Sequence, residues 1–160
     1  MVDVPEYMKQ TYNTRKYEGP MCGPCCAGFA YEYLMHNSYS PEKIREKMGT
    51  RLRSGGTTYR ELCEVMNEMG MGIWKCTQDE DFKDHLWQYV GKFHPAVVMV
   101  TGYAVAGHFV VLLGVEAIGE TICVQYFDPN GGFVPKEVTL KEFRKRGLFA
   151  LIYFCKPPQK

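Results

Sequence analysis

Met21-Cys22-Gly23-Pro24-Cys25-Cys26-Ala27-Gly28-Phe29-Ala30-Tyr31-Glu32-Tyr33-Leu34 puts a thiol at the mouth of a helix with little polar surface. Pro24 suits a first turn, where its missing N–H removes no helical bond. Ala27, Ala30 and Leu34 make one apolar face and Cys26, Phe29 and Tyr33 the next, so the spacing predicts a helix buried nearly all round. Cys22 falls at or just before the first turn. There the macrodipole and the unbonded backbone N–H groups favour an anion, which lowers a thiol's pKa and supplies the nucleophilic thiolate. One of those N–H groups can also donate to an oxyanion.

Upstream of this helix, residues 1–18 carry Tyr7, Tyr12 and Tyr17 among polar neighbours with no sustained period, which predicts an extended N-terminal arm lying against the body. No strand pattern leads into Cys22. Downstream, Ser40-Pro41-Glu42 reads as an N-cap, a first-turn proline and a dipole-matched acid, opening a helix with Ile44 and Met48 on one side. Thr58 and Glu61 form a capping box before Leu62, Val65, Met66 and Met69, an i, i+3, i+4, i+7 stripe closed by Gly70. A short strand follows at 73–77, then an amphipathic helix from Asp79–Asp81 to Phe93. From Pro95 the period changes to strands at 96–100, 108–115 and 121–127, with the Asp128-Pro129-Asn130-Gly131-Gly132 turn after the last. A strand at 133–138, a short helix at 140–146 and a strand at 148–154 complete the chain. Helices followed by antiparallel strands make an α+β fold, not an alternating βαβ one.

At 160 residues the chain reads as a single domain, 1–160, large enough for its own core. A net charge of +1 gives no footprint for nucleic acid. The longest apolar run, Phe109 to Val115, is too short to span a membrane. Seven cysteines are an odd count that a complete disulfide framework excludes. The polar, proline-broken start Val2-Asp3-Val4-Pro5-Glu6 is not a signal peptide. The expectation is therefore a cytoplasmic protein, or one exported without a cleaved signal.

A cysteine nucleophile needs a base to take its proton and a third group to orient the base. His108 opens one strand and Asp128 closes the next, so in an antiparallel pair the two lie at the same end. Asn130 is a second candidate for the orienting role.

Cys-Gly-Pro on a helix, then Gly107-His108-Phe109-Val110-Val111-Leu112-Leu113-Gly114, then Phe127-Asp128-Pro129-Asn130-Gly131-Gly132, resembles the stand-alone relatives of the bacteriocin-processing, double-glycine leader peptidases of the papain-like clan. The resemblance implies a papain-like cysteine peptidase fold, N-terminal helices on a C-terminal antiparallel sheet. It also implies Cys22 as nucleophile, His108 as general base and acid, Asp128 as orienting carboxylate, and a protein or peptide substrate. Such peptidases carry a glutamine six residues before the cysteine to complete the oxyanion hole, and here that place is Lys16. Gln10 and Asn13 are the nearest amides. Losing such a donor costs a tetrahedral intermediate roughly 3 kcal/mol.

Cys22-Gly23-Pro24-Cys25 also matches the redox motif of thioredoxins, making Cys22 and Cys25 an alternative disulfide-exchanging pair. That reading lacks the preceding strand and leaves His108 and Asp128 idle. A third reading is a catalytically inactive peptide-binding domain of the same fold. Cys26, Cys63, Cys76, Cys123 and Cys155 read as small core residues, and His36, His85 and His94 as solvated. No second close pair of ligands accompanies Cys22 and Cys25, so neither a metal nor another cofactor is expected.

Overall fold

A computed structural model describes residues 4–19, 21–48, 59–71, 73–77, 96–100, 108–130, 136–139, 141–142 and 148–154. Among the described residues four helices come first: α1 (Glu6–Thr11), α2 (Cys22–Met35), α3 (Pro41–Met48) and α4 (Tyr59–Glu68), with a 3-10 turn at Thr14–Lys16 between α1 and α2. Six strands follow: β1 (Ile73–Thr77), β2 (Ala96–Val100), β3 (His108–Ile118), β4 (Thr121–Phe127), β5 (Lys136–Thr139) and β6 (Leu148–Phe154). They form one sheet in the order β1-β6-β2-β3-β4-β5, antiparallel throughout. The protein is α+β, with its helices on an antiparallel sheet.

Packing follows the predicted stripes. Cys25, Cys26, Phe29 and Ala30 of α2 share a buried cluster with Phe109, Val111 and Leu113 of β3 and Phe127 of β4. Alternation along β3 turns Val110 and Leu112 the other way, and they are buried as well, so this part of the sheet is covered on both faces. In α3 the Ser40 hydroxyl accepts from Lys43 N at 3.5 Å, and Ile44 and Met48 are buried. In α4 the stripe Leu62, Val65, Met66 and Met69 is buried, and Gly70 at φ +82° ends the helix.

The N-terminal arm is not extended. Glu6–Thr11 is helical, with Glu6 in its first turn and Lys9 in its last, matched to the helix dipole. What drives it is the spacing of Val4, Met8 and Tyr12, all three buried, which puts one apolar group on the same side every turn. Two further bounds differ from the sequence reading. β3 continues to Ile118, carried by its ladder with β4, and the strand after the Asp128 turn is described only at Lys136–Thr139. The helix expected at 79–93 and the cap at Thr58 lie outside the described residues, as does most of the helix expected at 140–146.

At Gly28 the Tyr12 ring of the arm lies close against α2. A Cβ there would lie 2.7 Å from Tyr12 Cε1 and 3.0 Å from the Tyr39 carbonyl oxygen. Alanine would gain about 1 kcal/mol of helix propensity, but overpacking against a backbone oxygen that cannot swing aside costs about 1–3 kcal/mol. Gly28→Ala is therefore expected to lower the urea midpoint. A raised midpoint would show that the Tyr12 ring yields cheaply.

Candidate active site

Cys22 is the first residue of α2 and is half-buried. Its N-cap, Met21, makes no side-chain hydrogen bond to the helix. The loop leading into it is clamped from α3. Arg45 Nη1 donates to the Glu18 carbonyl at 2.7 Å, and the guanidinium lies where a Gly19 side chain would begin, 3.1 Å from that ideal Cβ. Gly19 itself has φ +80°, a left-handed conformation that glycine adopts at little cost.

His108 is the first residue of β3, where it pairs with Val100 of β2. On the other side β3 pairs with β4, Val111 opposite Phe127. Asp128 follows β4 directly, is buried, and accepts a hydrogen bond from the Asn130 backbone N–H on Oδ1 at 2.9 Å. The backbone at His108 and the Asp128 turn thus occupy the same end of the sheet. α2 packs against this end through Phe29, whose ring stacks at 4.4 Å on Phe127, the residue before Asp128. Burial, and then the neighbouring charges of Cys22, Cys25 and Asp128, hold the Cys26 thiol well above its ordinary pKa.

The two candidate amides separate clearly. Gln10 is exposed on α1. Asn13 is 3% exposed, and its Oδ1 accepts from Arg15 N at 3.0 Å, which opens the 3-10 turn. Its neighbour Thr14 donates its backbone N–H to the Pro129 carbonyl at 3.0 Å and its hydroxyl to Asn130 Oδ1 at 2.8 Å. The arm therefore meets the turn that carries Asp128 at Thr14, with Asn13 the residue before. Lys16 ends the 3-10 turn and is exposed. Sequence reasoning missed Thr14 and Arg45, since both act on backbone distant in the chain and neither belongs to a local pattern.

The three neighbouring thiols are unequal. Cys25 has no exposed surface, and burial, reinforced by the negative charge at Cys22, pushes its pKa up to about 12. Among the described residues no strand precedes α2, and every strand pair is antiparallel, which is not a thioredoxin arrangement. Among those residues, too, no group of three potential ligands could hold a metal, and no helix is long and apolar enough to cross a membrane.

A family model described as papain-like cysteine protease AvrRpt2 matches residues 6–147. Among solved structures, the chain is similar to the peptidase domain of Streptococcus ComA, a bifunctional ABC transporter of a quorum-sensing pathway. The TM-score there is 0.66 at 18% identity, covering 88% of this chain and 97% of that one. It is similar also to a C39-like peptidase from Bacillus anthracis, with a TM-score of 0.66 at 13% identity, covering 86% of this chain and 90% of that one. These likenesses establish a papain-like fold. Among curated proteins none matches the sequence.

The raised Cys25 pKa has a thermodynamic consequence. Above pH 9, the ordinary thiol value, the unfolded chain releases this proton while the folded chain keeps it to about pH 12. The unfolded state then binds fewer protons, so stability falls as pH rises through that window. In urea titrations from pH 8 to 11, Cys25→Ala should show a shallower loss than the parent. Equal slopes would mean that Cys25 ionises as freely in the fold as out of it.

Proposed function

Because the chain belongs to the family of papain-like cysteine protease AvrRpt2, we propose that it cleaves peptide bonds through Cys22, His108 and Asp128, with Asn13 completing the oxyanion site. What supports this reading is the His108 backbone and the buried Asp128 at one end of the sheet, with Phe29 of the helix that Cys22 opens stacked on the residue before Asp128.

In this mechanism Asp128 holds the His108 ring in the tautomer that accepts the Cys22 proton. The Cys22 sulfur attacks the peptide carbonyl carbon, and the resulting oxyanion is met by a first-turn N–H of α2 and by the Asn13 amide. Collapse breaks the C–N bond, and the His108 imidazolium gives its proton to the departing amine. Water, deprotonated by His108, then attacks the thioester and restores the thiol. Asn13 is preferred to Gln10 for three reasons. It is nearly buried, it lies beside the Pro129-Asn130 turn, and its Oδ1 is already engaged with Arg15 N, which leaves the Nδ2 end as the donor. An amine in place of water would make the same apparatus a transamidase, and a side-chain amide as substrate would make it a deamidase. The substrate class in every case is a protein or peptide.

Digestion of a diverse peptide library, read by mass spectrometry, tests the assignment. Cys22→Ala and His108→Ala should abolish cleavage, whereas Cys25→Ala should retain it. Asp128→Asn should lower kcat by roughly a hundredfold or more, and Asn13→Ala by roughly 10²-fold, while Gln10→Ala leaves it near the parent value. Cleavage that survives Cys22→Ala would end the proposal. Cys22-dependent peptide binding without cleavage would instead favour the inactive domain, to which Lys16 in the usual glutamine place points.

A further inference from the structure

Thr14 makes two contacts with a turn 115 and 116 residues further along the chain. Its backbone N–H meets the Pro129 carbonyl at 3.0 Å, and its hydroxyl meets Asn130 Oδ1 at 2.8 Å. The same hydroxyl lies 3.3 Å from the Pro129 carbonyl, but with one proton to give, the shorter contact takes it. Asn130 in turn donates its backbone N–H to Asp128 Oδ1 at 2.9 Å. Asn130 therefore links the two, its side chain held by Thr14 and its backbone N–H bonded to the Asp128 carboxylate.

We propose that Thr14 is a positioning residue whose hydroxyl, through Asn130, sets the placement of the Asp128 carboxylate and locks the Asn13 segment to it. This rests on the reading of Cys22, His108 and Asp128 as a catalytic set. The link joins two components that must be correctly placed at the same time, the donor that stabilises the oxyanion and the acid that orients the base. They stand on separate elements: Asn13 caps the 3-10 turn that follows α1, and Asp128 lies just past β4. A displacement of about 1 Å in such a set is enough to cost orders of magnitude in rate.

Two readouts separate positioning from mere stability. The first is kcat and KM for a cleaved library peptide. Thr14→Val keeps the shape and the backbone N–H but removes the hydroxyl; it should lower kcat roughly tenfold with KM little changed. Thr14→Ser should recover most of the loss. Asn130→Ala removes the acceptor, and the double variant should be no slower than the slower single one, because both changes cut the same link. The second readout needs no turnover: the rate of Cys22 alkylation by iodoacetamide against pH. Displacing Asp128 weakens the thiolate–imidazolium pair, so Thr14→Val should raise the apparent Cys22 pKa by roughly one unit.

If Thr14→Val lowers the melting temperature but leaves both the kcat and the alkylation profile as in the parent, the role is structural and the proposal is overturned. Additive losses in the double variant would overturn it too. A parent protein that cleaves nothing, yet shows the alkylation shift in Thr14→Val, would sink the peptidase reading and leave the positioning role standing.

Discussion

The stack of Phe29 on Phe127, 4.4 Å apart and nearly parallel, is the contact on which the geometry of the site turns. Phe29 sits two turns along the helix that begins with Cys22, about 10 Å from its start. Phe127 is covalently next to Asp128. A single ring contact therefore sets the distance between the layer that carries the thiol and the layer that carries the carboxylate. Such a pair adds about 0.5–1.5 kcal/mol beyond the area it buries, but its larger effect is to leave one relative placement of helix and sheet. Tyr12 meets the same Phe29 ring edge-on at 6.0 Å, so the N-terminal arm is referred to the same fixed point.

A polar contact finishes what the rings begin. The Tyr12 hydroxyl donates to Glu32 Oε1 at 2.6 Å in a buried setting, joining the arm to the last turns of α2. A hydrogen bond to a charged group contributes about 1.5–3 kcal/mol, and the buried carboxylate would be costly without it. Burial, followed by Glu32 itself, raises the pKa of the Tyr12 hydroxyl, so the donor keeps its proton well into alkaline solution. The absent side chain of Gly28 gives the Tyr12 ring its room. Shape and charge thus converge on one residue of the arm, and Asn13 is covalently next to it.

Most of the architecture is legible from periodicity. The stripes of α2, α3 and α4 and the strands ending at Phe127 and Phe154 recur in the structure because each is long enough to show its period above local noise. α1 is not, because six residues carry fewer than two turns of a stripe whose members, Val4, Met8 and Tyr12, are separated by polar neighbours. Its helix is a consequence of tertiary burial. The same division holds at the site. Cys22, His108 and Asp128 stand in motifs a reader can pick out, whereas Gln10 and Asn13 look equivalent in the chain and differ only once the arm is folded. What distinguishes Asn13 is its burial and its place beside Thr14, which bonds the Pro129-Asn130 turn, and no spacing rule encodes a partner more than a hundred positions away.

The cluster Cys22, Cys25 and Cys26 shows how a fold leaves one accessible thiol among three within one helical turn and its neighbour. The helix dipole acts on all of them in the same sense, so it cannot be the selector. Burial is. Cys25 and Cys26 have no exposed surface, and desolvation raises the pKa of each, further still when Cys22 carries negative charge. Charge at the helix mouth therefore resists a second ionisation beside it, and the proton stays where no substrate can reach. Only the thiol at the first position keeps a path to solvent. Selectivity comes from what the sheet covers, and the sheet covers α2 in the register that the Phe29–Phe127 stack imposes.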